Sequence, residues 1–100
     1  MKKGRSTDQS GVVTVELAAP LREYVGGSTV QCSAGSVRGI LMELEKRYPE
    51  LYVRICDETG KVRRHVNVFV NVDNIRDRDG LESPVVPGDR VTVLPSVSGG

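Results

Sequence analysis

The chain has 100 residues, enough for one modest hydrophobic core and too few for two. Its 14 basic side chains nearly balance 13 acidic ones, giving a formal net charge of +1. Because this balance creates no strong overall field, we expect neither nucleic acid nor a membrane as a partner. No apolar stretch approaches the roughly 18 residues of a membrane helix, and we expect a cytoplasmic protein.

Few residues could support catalysis or metal binding. Cys32, Cys56 and the single histidine, His65, are too few for a zinc site of known spacing. We favour the two cysteines as small core hydrophobes; a cysteine nucleophile with His65 as its base is the alternative. No glycine-rich phosphate-binding motif is present. We therefore expect no bound cofactor or metal, and no catalytic residues of the chain's own.

The first part of the chain predicts a short tail and a β-hairpin. Residues 1–11 are polar and are predicted to be a flexible tail. VVTVEL then alternates apolar and polar residues, which predicts a half-buried strand that Pro20 ends. STVQCSA, after a glycine pair, predicts a second short strand with Val30 and Cys32 on one face.

One segment predicts an amphipathic helix. Ser36 is a suitable N-cap, and Pro49 places the end of the helix near residue 48. Apolar residues recur at the spacing of one helical face: Val37, Ile40, Leu41, Leu44 and Tyr48. The charged residues opposite are interpreted as a solvated face, and the apolar stripe should pack on a sheet.

The second half predicts two more strands. A turn at residues 57–60 precedes HVNVFVN, whose three valines should face the helix, and a turn at residues 87–89 precedes the final strand RVTVL. The intervening residues are predicted to be irregular connections with room for a short edge strand. The basic residues before HVNVFVN are interpreted as the solvated start of a strand, with a binding patch as the alternative: Lys61, Arg63, Arg64 and His65.

The order of elements favours an α+β fold of the β-grasp type. A crossover helix between the second and third strands permits parallel pairing of the first and last strands at the sheet centre. The prediction is a mixed sheet of four or five strands over residues 12–94, with one main helix on one face, followed by a flexible tail at residues 95–100.

The helix VRGILMELEKRYP, the strand HVNVFVN, the PGD turn and the ending RVTVLPSVSGG resemble the ubiquitin-like sulfur carriers of the MoaD/ThiS family. The resemblance covers roughly residues 12–100 and is strongest to the branch that supplies sulfur for cysteine biosynthesis. In that branch alanine is expected where Ser98 stands.

The resemblance implies that the protein is a co-substrate and not an enzyme. An E1-like adenylating enzyme would use ATP to activate the Gly100 carboxylate, and a sulfur donor would convert it to a thiocarboxylate for a sulfur-accepting synthase. The preceding tail residues, Gly99, Ser98 and Val97, would be required for activation. Glycine at this point leaves no Cβ in the way, and the six residues from Pro95 can extend about 20 Å into a partner's pocket.

Other functions remain open at this stage. The same activated Gly100 could join a lysine amine, which would make the chain a ubiquitin-like protein modifier. A subunit of a two-component synthase, as in molybdopterin formation, is a variant of the carrier. A non-reactive β-grasp binding module with an inert tail is the third alternative.

Strand alternation also predicts a docking patch for the adenylating enzyme. If the valines of HVNVFVN face the helix, Phe69 lies on the other face of the sheet together with Leu94 and Arg90. Phe69 and Leu94 would then form an apolar patch at the base of the tail, with Arg90 at its rim. The alternative is that a loop covers this face or that Phe69 fills a minor core.

Overall fold

A computed structural model describes residues 11–95. The predicted flexible tails, residues 1–11 and 95–100, lie outside this range except for Gly11 and Pro95. The regular elements, in chain order, are β1 (Val12–Leu17), α1 (Ala19–Arg22), β2 (Thr29–Ser33), β3 (Gly35–Ser36), α2 (Val37–Arg47), α3 (Pro49–Ile55), β4 (Val66–Val70), β5 (Asp73–Asn74), β6 (Pro84–Val85) and β7 (Arg90–Pro95). Two 3₁₀ turns, Ile75–Asp77 and Gly80–Glu82, join β5 to β6.

Five strands form one mixed sheet in the order β2-β1-β7-β4-β5. β1 and β7 pair in parallel at its centre, whereas β2, β4 and β5 pair antiparallel to their neighbours. β3 and β6 make a separate two-stranded ribbon. This is the predicted β-grasp topology, with the first and last strands side by side.

Helix α2 begins and ends close to its predicted limits. The Ser36 hydroxyl accepts a hydrogen bond from the backbone N–H of Gly39 at 3.1 Å, which satisfies one of the unpaired donors of the first turn. Four of the five residues predicted for its apolar face are buried: Val37, Ile40, Leu41 and Leu44. They join the inward valines of β1, β4 and β7 in one core. Tyr48 packs against that core while half-buried.

Two short helices were not predicted, and both omissions have the same cause. Pro20 and Pro49 were interpreted as the ends of regular elements, but each occupies the first turn of a new helix, α1 and α3. Proline is well suited to that turn because its missing N–H would be unpaired there anyway. Leu21, Leu51 and Ile55 of these helices are buried, which extends the core beyond α2.

The predicted turns are present. Asp57 closes the turn after α3, where its Oδ1 accepts hydrogen bonds from the Thr59 backbone and hydroxyl. Before β7, the N–H of Asp89 donates to the Val86 carbonyl at 3.0 Å, and Gly88 adopts a φ of 92°. Among residues 11–95, no helix has both the length and the apolar character needed to cross a membrane.

Candidate functional site

The central strand β7 is the element that leads to the predicted reactive tail. β7 lies between β1 and β4, and its last residue, Pro95, is in register with Val66 at the start of β4. The last described residue, Pro95, therefore lies beside the start of β4. The predicted tail positions Val97, Ser98, Gly99 and Gly100 lie outside the described residues.

The outer face of the sheet carries the predicted docking residues. Cross-strand register places Phe69 opposite Thr92 and Leu94 opposite Asn67. Phe69 and Leu94 are thus diagonal neighbours on the face opposite α2, at a separation that large side chains can bridge. Leu94 is 43% exposed. Phe69 is half-buried and is not part of the core cluster. The structure therefore brings these two residues together on one face, as alternation predicted.

Arg90 lies on the same face but at the other end of β7. Four residues separate it from Leu94, a distance of about 13 Å along a strand. Its Nη1 donates to Glu16 Oε1 on the neighbouring strand at 2.8 Å. Arg90 is thus bound within the sheet, across β1 and β7, and lies away from the end at which the tail leaves.

Sequence reasoning missed Asn71, which connects β4 to the start of β7. Asn71 is the non-glycine residue with positive φ among the described residues, at 56°. Its Oδ1 accepts from the Arg90 N–H at 3.1 Å, and its Nδ2 donates to Asp89 Oδ1 at 3.1 Å. Asparagine tolerates this left-handed conformation better than most residues. Its position directly after a strand was the signal that could have revealed it.

The cysteines are core residues, as predicted. Cys32 and Cys56 are buried and unpaired. Burial and the nearby Glu43 carboxylate raise the pKa of the Cys32 thiol to about 11, and burial raises the pKa of Cys56 as well. A buried, protonated thiol is a poor nucleophile. Within residues 11–95, no hydrogen bond joins His65 to either cysteine.

The predicted basic cluster has its own contacts. Arg63 donates from Nε to the Val53 carbonyl at 2.9 Å, at the end of α3. Arg64 and His65 are exposed immediately before β4.

No group of three or more histidine, cysteine, aspartate or glutamate side chains in the described part of the chain could hold a metal ion.

Comparison with known proteins identifies the class that this fold and strand arrangement define. Residues 15–100 match the model of the ThiS family. Sulfur carrier protein CysO of Mycobacterium tuberculosis is 36% identical over 91 residues, covering 88% of this chain and 98% of the relative.

Two solved structures show the same fold. The Amycolatopsis orientalis BexX/CysO complex matches with a TM-score of 0.79 and 37% identity, over 88% of this chain and 99% of that chain. Small archaeal modifier protein 1 of Methanosarcina acetivorans matches with a TM-score of 0.78 and 34% identity, over 91% and 98%.

The relatives are sulfur carrier proteins or small protein modifiers, and this chain shares their ubiquitin-like β-grasp fold. Within that class, the chain belongs to the ThiS family.

Proposed function

We propose that this protein is a sulfur carrier that transports sulfur as a thiocarboxylate on Gly100. The observation that carries the proposal is the family match through residue 100, together with 36% identity to a sulfur carrier protein along nearly its whole length. β7 supports it physically. A central strand bonded on both sides holds Pro95, the last described residue before Gly100, in a fixed place.

The proposed chemistry proceeds in two steps on a partner enzyme. One oxygen of the Gly100 carboxylate attacks the α-phosphorus of ATP, pyrophosphate leaves, and an acyl adenylate forms. Hydrosulfide then attacks the carbonyl carbon; a carbon–sulfur bond forms, the carbon–oxygen bond to AMP breaks, and the product is a thiocarboxylate. Adenylation is needed because a free carboxylate has no good leaving group. Gly99, Ser98 and Val97 would be the residues that enter the active site with Gly100.

The test is thiocarboxylation in vitro. The protein is incubated with the E1-like adenylating enzyme of its own source organism, ATP and a sulfide source, and its intact mass is measured. We expect one oxygen-to-sulfur replacement, located at Gly100 by fragmentation. Omission of ATP is the control and should leave the mass unchanged. Absence of the replacement in the complete reaction would contradict the carrier function.

The second candidate is a protein modifier, which the likeness to small archaeal modifier protein 1 favours. It shares the adenylate, but the nucleophile is a lysine amine and the product is an isopeptide bond. The same reaction, supplemented with cell extract, distinguishes the two candidates. Lysine-linked conjugates without any thiocarboxylate would establish the modifier and displace the carrier.

We propose further that Phe69 and Leu94 form the docking patch for the adenylating enzyme. The support is their common face, the exposure of Leu94 and its position one residue before Pro95. Arg90, which was predicted at the rim of this patch, is bound to Glu16 at the far end of β7. We therefore propose that Arg90 links β7 to β1 through this ion pair, in addition to the partner contact predicted from the sequence.

A further inference from the structure

The charges of this nearly neutral chain are unevenly placed. The ion pairs formed within residues 11–95 engage Arg38, Arg47, Arg78 and Arg90. A second set of basic side chains takes no part in these pairs and lies beside the end of β7 at Pro95. We call this set the basic collar; it consists of Arg54, Arg63, Arg64, His65 and Arg76.

Register explains how residues distant in sequence meet at this point. Val66 pairs antiparallel with Pro95, so the residues just before Val66, Arg64 and His65, lie beside the end of β7. Arg63 reaches α3 through its hydrogen bond to the Val53 carbonyl. Val53, Arg54, Arg63 and His65 together line an open cleft of about 310 Å³. Four of the five collar residues therefore converge beside the end of β7.

The collar arginines are held in place by neutral groups. The Arg54 guanidinium lies 5.3 Å from the centroid of the Tyr24 ring. Arg76 donates to Asn67 Oδ1 at 2.9 Å and to the Arg63 carbonyl at 3.0 Å. A carbonyl, an amide or an aromatic ring orients a guanidinium without neutralising it, in contrast to a carboxylate.

Acidic groups also lie near the collar: Glu45, Asp57 and Glu58 line one cleft together with Arg63. Asp57 is close enough for Arg63 to help lower its pKa, but the hydrogen bonds from Thr59 contribute more. Asp57 Oδ1 also accepts from the Lys61 backbone, so this carboxylate is committed to its own turn. Arg54, Arg63 and Arg76 are thus oriented by neutral groups, and no collar residue forms an ion pair within the described part of the chain.

We propose that the basic collar docks an acidic surface of the partner protein, next to the pocket that receives the residues after Pro95. The proposal rests on the proposed function, since it assumes that the tail enters a protein active site. Arg76 donates a hydrogen bond to Asn67, and Asn67 lies opposite Leu94 on the neighbouring strand. The collar therefore adjoins the patch formed by Phe69 and Leu94. An apolar centre with a charged rim is the usual anatomy of a protein interface. Long-range attraction would accelerate encounter and orient the tail toward its pocket.

The test compares two double variants of equal net charge. Arg54→Gln with Arg64→Gln removes two collar charges, while the matched control, Arg38→Gln with Arg78→Gln, removes two charges from residues that are paired elsewhere. Thermal unfolding verifies that both variants fold. With the adenylating enzyme at low salt, we expect the collar variant to lose about tenfold in kcat/KM at unchanged kcat, and the control to lose less than about twofold. High salt should remove most of the difference. Equal losses in both variants would overturn the proposal.

A second measurement is independent of the proposed function. Isotope-labelled protein is titrated with a hexaglutamate peptide, and the amide resonances are followed by NMR. We expect shifts centred on the collar that are lost in the collar variant and retained in the control. If the wild-type chain is never adenylated, the proposed function fails. The titration still shows whether the collar binds an acidic peptide. Shifts centred on α2, or inorganic phosphate binding as tightly as the peptide, would overturn acidic-surface docking.

Discussion

Phe69 and Leu94 lie on the same outer face of the sheet but differ in solvent exposure, and this difference makes the docking patch testable. Leu94 is 43% exposed, so its side chain contributes little to the stability of the free protein. Phe69 is half-buried between strands β7 and β5, where it lies opposite Thr92 and Asn74. Measuring both affinity and stability after truncation of each side chain shows whether that side chain contributes to binding, to folding or to both.

We predict that Phe69→Ala and Leu94→Ala each weaken binding to the adenylating enzyme by about 1 to 2 kcal/mol. Stability should fall little for Leu94→Ala, and for Phe69→Ala by less than the roughly 3 to 5 kcal/mol of a buried phenylalanine. Calorimetric titration and melting temperature provide the two measurements. Thr29→Ala, on the outward side of edge strand β2, is the control. Severe destabilisation with unchanged affinity would refute the patch.

Cys32 should make the fold sensitive to alkaline pH. Its pKa in the folded protein is raised from 9.0 to about 11, because burial and Glu43 disfavour the thiolate. The raised pKa means that the folded state holds its proton more tightly, so the associated stability is complete below pH 9 and is lost as pH rises toward 11. We predict that the free energy of unfolding falls less steeply across this window in Cys32→Ala. Parallel pH profiles of the two proteins would contradict this.

At the scale of elements, the sequence predicted those strands and that helix in which apolar residues recur at a regular spacing. The strands β1, β2, β4 and β7 and the helix α2 follow from alternation and from the 3.6-residue spacing of apolar residues. α1 and α3 could not be obtained in the same way, since each is short and begins with a proline that also marks the end of the preceding element. The surrounding tertiary structure decides whether a proline only ends one element or also begins a helix.

The candidate site shows the same division. Alternation was sufficient to place Phe69 and Leu94 on one face, because side-chain direction within a strand is local information. Arg63, Arg64 and His65 of the collar stood out in the sequence as a basic cluster, whereas their meeting with Arg54 beside the end of β7 depends on the pairing of Val66 with Pro95 and on the packing of α3 beside the start of β4. Such contacts between distant segments require the tertiary structure.

The junction between β4 and β7 depends on Asn71. We predict that Asn71→Ala destabilises the protein by about 2 to 3 kcal/mol, because it loses hydrogen bonds to Arg90 and Asp89 and places alanine at a φ of 56°. Asn71→Gly loses the same hydrogen bonds without that conformational strain, so it should cost about 1 kcal/mol less. Urea unfolding measures both variants. Equal losses would show that the backbone conformation has no part in the effect.

At the scale of the whole molecule, the residue proposed to react lies beyond the last core residue in the sequence. Val93 is the last member of the buried cluster described within residues 11–95, and Gly100 follows it after six intervening positions. We predict that deletion of Gly100 leaves the melting temperature unchanged within about 1 °C, while adenylation and thiocarboxylation are lost. Pyrophosphate release and intact mass measure the chemistry. A deletion variant that fails to fold would show that the tail contributes to the domain.

The parallel pairing of β1 with β7 also has a mechanical consequence. A partner that pulls on the chain beyond Pro95, while the start of β1 is held, applies force along both strands. The hydrogen bonds of the Thr14–Leu17 and Arg90–Val93 segments are then sheared together, whereas a peeling force would break them one after another. In single-molecule pulling, we expect the domain to resist far greater force between residues 12 and 95 than between Val12 and Ser33, where the antiparallel hairpin of β1 and β2 opens like a zip. The domain is therefore expected to stay folded when a partner pulls at Pro95 while β1 is held.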